Sequence, residues 1–178
     1  MRTLLELDHV TKRYPVGGLF SRQSIKAVND VSFALDADKP EIFAIVGESG
    51  SGKSTMAKMM LGNEVPDAGR LVFDGTDIGT IRTRDQREAF MAKVQPVFQN
   101  PFEAFNPLTP VDAYLFATAH RFCAANDQAS KERLADTALQ RVGLSLAEIK
   151  GRFSHELSGG QLQRVAVARA LIPSPKLI

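Results

Sequence analysis

The chain has 178 residues, 44% apolar and 24% charged, with 22 basic against 20 acidic side chains and a net charge of +2. That length fits one ordinary domain with a sizeable core, and the interspersed charges form no basic patch of the kind that binds nucleic acid. The lone Cys123 excludes an internal disulfide, Glu6 and Asp8 interrupt any signal-peptide core, and the apolar run at residues 42–46 is far short of a membrane span, so a soluble chain is expected whose membrane role, if any, runs through a partner.

In chain order, the alternation of Leu5, Leu7 and Val10 predicts one or two opening strands. PVGGLFSRQS, residues 15–24, has no period and reads as a loop. KAVNDVSFAL predicts a second strand with Val31, Phe33 and Leu35 on one face. EIFAIVG, residues 41–47, is a continuous apolar run ending in glycine, which predicts a strand buried on both faces. Met56, Met59 and Met60 then recur at helical spacing until Gly62, as core filling rather than a cofactor box. GRLVFDGTDI predicts a further strand with a turn at Gly75.

From about Phe105 the pattern turns helical. Thr109 and Pro110 suggest a cap and a first-turn proline for a helix through Phe122. Leu134, Ala138, Leu139 and Val142 form one apolar stripe, ended by Gly143. Ser145 with Glu148 fits a capping box, and so does Ser158 with Gln161, the second opening a helix that Pro173 closes.

Two glycine-led loops carry the chemistry. GESGSGKST, residues 47–55, has the spacing G-x-x-x-x-G-K-S between a strand and a helix. Through Gly47, Glu48, Ser49, Gly50, Ser51 and Gly52 the backbone can curl so that successive N–H groups converge on a β-phosphate. Lys53 would set its ammonium against the β- and γ-phosphates, Ser54 would ligate Mg²⁺, and Thr55 can reach the α-phosphate region. The alternative is a chance glycine-rich turn, which the strand–loop–helix context opposes. In ELSGGQLQR, residues 156–164, Ser158 caps a helix and leaves the Gly159 and Gly160 N–H groups free, a receptor for a γ-phosphate with no basic side chain of its own.

LSGGQ (Leu157, Ser158, Gly159, Gly160, Gln161), the earlier phosphate loop, and VFQNP at residues 97–101 between them give the chain a resemblance to ABC-type ATPases over essentially its whole length. The resemblance implies an α/β fold. Its P-loop NTPase core lies on a mainly parallel sheet, with an N-terminal antiparallel β part and a helical insert. As one domain it divides into a β/P-loop core at about 1–104, a helical insert with the signature motif at about 105–160, and the signature helix with the start of the Walker B strand at 161–178. It further implies that Gln99 ligates Mg²⁺ and senses the γ-phosphate, where the bland reading is a turn residue before Asn-Pro. Tyr14 would stack on adenine, for about 1–3 kcal/mol by analogy with base stacking, or is simply an aromatic at a strand end. The signature would face the nucleotide of a second subunit, so that two chains hold each nucleotide.

The family continues past residues 176–178, expected to begin a strand beside the P-loop strand, into a Walker B aspartate, a catalytic glutamate and a later histidine. No catalytic residue is therefore assigned within the chain, and the P-loop strand is expected to be left partly uncovered. Turnover by these residues alone is not expected. Pro96 departs from the family pattern and predicts a short or edge strand before Gln99. His155 lies upstream of that strand and is not the family's later histidine. His9 and His120 read as surface or packing residues, and Arg164 and Arg169 as a solvated helix face.

YPVGGLF, GESGSGKST and FQNPFEAFNP resemble the ATP-binding subunits of dipeptide and oligopeptide importers, a style shared by nickel, glutathione and other importers. This narrower resemblance implies ATP and Mg²⁺ as cofactors and a second ABC ATPase subunit as partner. It also implies integral membrane permeases near Gln99, a substrate-binding protein contacted indirectly, no nucleic acid, and a cytoplasmic place on the inner face of the plasma membrane. A soluble phosphonate-degrading complex, a non-transport ABC ATPase, a P-loop kinase and a nucleotide-binding fragment without turnover are the rival readings.

Overall fold

The structure, a computed structural model, describes residues 2–16 and 24–178, so most of the loop expected at residues 15–24 lies outside the described residues. They fall into two compact units, one ending at Thr83 and one spanning Arg84–Ile178.

The first unit is built on β1 (Thr3–Pro15), β2 (Ser24–Asp36), β3 (Ala68–Phe73) and β4 (Thr76–Asp77), with α1 (Lys53–Met60). The four strands form one antiparallel sheet in the order β2-β1-β3-β4. Alternation puts Leu5 and Leu7 of β1 opposite Phe73 and Leu71 of β3, and all four are buried. The β3–β4 turn takes Asp74 and Gly75 through positive φ (49° and 79°), as a tight hairpin requires. Met59 of α1 is fully buried, with Met56 and Met60 half-buried beside it, as core filling.

The run at residues 41–47 departs from expectation. It is not a strand, Ile42 is 100% and Val46 86% exposed, Ile45 is half-buried, and Phe43, itself exposed, stacks on Phe33 with centroids 4.7 Å apart. A strand buried on both faces is made by its neighbours, and no strand among the described residues pairs with this one. The mainly parallel sheet is likewise absent among the described residues, where the single parallel pairing is the bridge Val94–Leu177.

The second unit is helical: α2 (Arg84–Lys93), α3 (Val111–Cys123), α4 (Gln128–Gln140), α5 (Leu146–Ile149) and α6 (Gly159–Leu171). Its core joins Val111, Leu115 and Ala119 of α3, Ala135 and Leu139 of α4, Ile149 of α5, and Leu162 and Val165 of α6. Thr109 does not cap α3. Pro110 holds the N-cap position without a side-chain bond, and the first donor of the helix, the N–H of the buried Val111, is satisfied instead by the Arg152 carbonyl at 2.8 Å. Both capping boxes form, Ser145 with Glu148 and Ser158 with Gln161. The segment at residues 176–177 bonds to Lys93 and Gln95 (Lys176 N to Lys93 O, 2.8 Å; Gln95 N to Leu177 O, 3.0 Å), so the strand expected beside the P-loop strand is found beside these residues.

Candidate functional site

In the first unit the P-loop curls through Gly50 (φ 82°) and Gly52 (φ 92°), with Ser51 N–H donating to Glu48 O at 3.2 Å. Gly52 is forced by contact as well as by torsion, since a Cβ there would lie 1.9 Å from the Ala27 carbonyl oxygen of β2. That close approach anchors the loop on the sheet and aims the start of α1. Gly52 is also the N-cap of α1 and provides no side-chain bond, so the first N–H groups of the helix keep no side-chain partner. Lys53 folds back over the loop, its Nζ donating to Gly47 O (2.9 Å), Glu48 O (2.6 Å) and Ser51 Oγ (3.4 Å). An ammonium, a row of free N–H groups and the exposed Ser54 hydroxyl therefore lie together, with Thr55 next on the helix. This set suits a polyphosphate and its cation.

Tyr14 sits near the end of β1 opposite Ile25, half-buried, with Lys12 Nζ 5.7 Å from its ring centroid. The strand-end description therefore holds, while a base stacked on it remains an expectation.

In the second unit, Ser158 accepts from Gln161 N–H at 3.2 Å and its own N–H donates to Gln161 Oε1 at 3.0 Å. This reciprocal box fixes the first turn of α6 and leaves Gly159 and Gly160 exposed, with nothing within 4 Å of where a Cβ would stand. Leu157 turns inward to the core and pins the loop. Gln99 lies in a concavity of about 720 Å³ shared with Phe102, Gly159, Gly160 and Gln163. The turn that follows is capped by Asn100, whose Oδ1 accepts from Phe102 N–H at 3.2 Å, so the turn role belongs to Asn100 and leaves the Gln99 amide exposed. Among the described residues no cluster of three or more His, Cys, Asp or Glu could hold a metal.

Of the two arginines of α6, Arg164 is exposed, as a solvated face requires, and Arg169 corrects the sequence reading. Arg164 reaches back to Gly160 O (3.4 Å) and across to Gly143 O (3.1 Å), tying the glycine turn to the end of α4. Arg169 is not on a solvated face. Its guanidinium is largely buried, which lowers its pKa, and it donates to Ala104 O at 3.5 Å and stands 5.6 Å from the Phe105 centroid. The signal was available: positions 162, 166 and 169 share one helical face, and Leu162 and Ala166 are core. His155 is exposed, its ring stacked on Phe153 at 5.7 Å.

A family model described as ABC transporter matches residues 28–178. This chain belongs to the ABC transporter family. The oligopeptide transport ATP-binding protein AppF of Bacillus subtilis (strain 168) is 40% identical over 182 residues, covering 99% of this chain and 53% of AppF. A probable peptide ABC transporter ATP-binding protein of Sinorhizobium fredii is 38% identical over 179 residues, covering 98% of this chain and 49% of its own length. The ABC chain thus spans about half the length of these two relatives. Among solved structures, the dimeric ATP-binding cassette MJ0796 in a post-hydrolysis state with ADP and Pi superposes with a TM-score of 0.80 at 27% identity, over 97% of this chain and 71% of that one. The cassette fold, a P-loop core with an antiparallel β part and a helical insert, is therefore the fold of this ABC chain. Among the described residues no helix is long and apolar enough to cross a membrane.

Proposed function

We propose that this chain forms the cassette of an ATP-binding, energy-coupling subunit in an importer of dipeptides or oligopeptides. The carrying observation is that its two glycine-led helix starts are built for unequal tasks. The P-loop start has its own cation, Lys53, and can hold a whole polyphosphate. The signature start has exposed N–H groups and no cation in the motif, so it suits the end of a phosphate chain held elsewhere. In a two-fold pair each signature would complete the partner's nucleotide. The names of the relatives supply the substrate class, peptides.

In this reading Tyr14 would lie under adenine and residues 47–55 would wrap the phosphates, with Ser54 and Gln99 each offering a neutral oxygen to Mg²⁺. The bound cation would supply charge neutralisation at the β- and γ-phosphates. ATP closes the dimer and hydrolysis reopens it, working on permease subunits at the inner face of the plasma membrane. Phe98, Phe102 and Leu108, exposed apolar side chains around the turn after Gln99, are the expected contacts for a permease.

Two variants of the intact subunit test this together. Lys53→Ala should abolish most MgATP binding measured by calorimetry. Ser158→Arg should keep it, yet lose ATP-driven dimerisation, because a large cation then fills the receptor meant for the partner's γ-phosphate. Normal dimerisation of Ser158→Arg would refute the shared-site reading.

A further inference from the structure

In the first unit Lys12 of β1 stands two residues before Tyr14, on the same face of the strand. Its side chain is only 13% exposed. The ammonium donates to Val65 O at 2.8 Å and to Asp67 Oδ1 at 3.2 Å, and Glu64 Oε2 lies 3.6 Å away. Its charge is thus matched within the protein by oxygens of one short segment, residues 64–67. Two further bonds tie that segment to β1, from Asp67 N to Thr11 O at 2.9 Å and from Arg13 N to Asp67 Oδ2 at 2.6 Å. The segment is also fixed to the end of α1, where the Asn63 and Glu64 N–H groups donate to Lys58 O at 2.9 and 3.3 Å. The P-loop helix is therefore held at both ends by the same stretch of sheet. At its start Gly52 rests on Ala27 of β2, next to Val28, which pairs with Lys12. Past its end, residues 64–67 rest on Lys12 itself. The same ammonium stands 5.7 Å from the Tyr14 ring centroid, within cation–π reach.

The geometry points to Lys12 as a positioning residue for the nucleotide: it fixes the Tyr14 ring against the far end of the P-loop helix, and so sets the spacing between base platform and phosphate loop. The inference rests on the reading of Tyr14 as that platform. Lys12 itself touches no nucleotide in this scheme, because its ammonium is already surrounded by protein oxygens. Base and phosphates belong to one ligand, so a platform held at the right spacing from the phosphate loop binds both without first being ordered. A ring that drifts from that spacing loses the base while the phosphates still bind.

Calorimetry on the intact subunit tests this with two probes, each as its Mg²⁺ complex. The β,γ-imido analogue of ATP carries base and phosphates, and inorganic tripolyphosphate carries phosphates alone. Lys12→Met keeps the apolar stem and removes the ammonium. It should weaken the ATP analogue by about fivefold and leave tripolyphosphate within about twofold of the parent. Tyr14→Ala should weaken the analogue by at least about fivefold. Added to Tyr14→Ala, Lys12→Met should cost no more than about twofold further, because it acts through the ring. Where methionine lowers the melting temperature markedly, Lys12→Gln, shorter but with a neutral donor, takes its place in the same cycle. Equal weakening of both probes would make Lys12 a purely structural tie and overturn the proposal. So would an unchanged analogue affinity, or a cost that persists in the absence of the Tyr14 ring. A Tyr14 effect with no Lys12 effect refutes this inference alone, whereas no effect of Tyr14→Ala removes the platform reading and this inference with it.

Discussion

Replacing Gly160 by alanine separates the needs of the fold from the needs of a ligand. Gly160 is the second residue of α6, its φ is not positive, and an added Cβ would meet nothing within 4 Å. Inside this chain nothing requires glycine there. Alanine restricts the unfolded chain and suits a helix better, so the substitution should stabilise by about 0.5–1 kcal/mol. For a domain of this size that raises the melting temperature by roughly 1–4 °C. The open space that makes alanine harmless to the fold is the space assigned to a partner's γ-phosphate. A methyl group beside the N–H should therefore weaken ATP-driven dimerisation, measured by sedimentation of the intact subunit, while MgATP binding to its own P-loop stays unchanged. Destabilisation by more than about 1 kcal/mol would mean that the fold needs this glycine after all. A more stable variant that dimerises normally would remove the phosphate-receptor assignment.

Gly52→Ala should act in the opposite direction: positive φ costs about 1–2 kcal/mol and the overlap with the Ala27 carbonyl about 1–3 more, so the denaturant midpoint should fall by about 2–5 kcal/mol equivalent. A loss under about 1 kcal/mol would contradict the close approach on which the loop is anchored. His9→Asn tests the exposed pair across β1 and β2, where His9 Nδ1 lies 2.6 Å from Asp30 Oδ1 and that hydrogen bond raises the histidine pKa. A pKa raised on folding gives stability that is complete below the unfolded value of about 6.5 and fades as pH climbs through the raised value. Asparagine tolerates the positive φ at this position. The gap in urea midpoint between parent and variant should thus be larger at about pH 5.5 than at about pH 9, and a gap that is flat or widens with pH would contradict the pairing.

What could be read ahead of the structure was whatever depends on near neighbours in sequence. The capping boxes at Ser145 and Ser158 formed because a cap is completed within four residues. Helix α2 went unassigned since its face is mostly charged, although Thr83 and Gln86 have capping-box spacing and Phe90 falls one turn before the buried Val94. Residues 41–47 show the limit from the other side. Their apolar run describes an environment that other strands must supply, and a pattern of two-sided burial cannot say which strands those are. The same reasoning explains Arg169: charge in the sequence suggested solvent, while its helical register with Leu162 and Ala166 required the core.

Helix α6 shows why the two ends of the second unit must be considered together. Leu162, Val165, Ala166 and Ala168 are buried along its length, so its thirteen residues are held as one rigid piece. At its start the Ser158–Gln161 box and Arg164 fix the direction of the Gly159 and Gly160 N–H groups. Near its other end Arg169 holds the Ala104 carbonyl, the last residue of the turn that begins beside Gln99. The glycine turn and the Phe102 turn line one concavity and are fastened to the same helix. A displacement of the Phe102 turn cannot be absorbed by a soft linker between them, because there is none: it must break the Ala104–Arg169 contact or carry α6 with it. Side-chain burial along α6 makes the first the smaller change, since the contact is a single long hydrogen bond and the helix is anchored by five buried apolar residues. The fastening of the signature is thus strongest at the glycine end and weakest at Arg169.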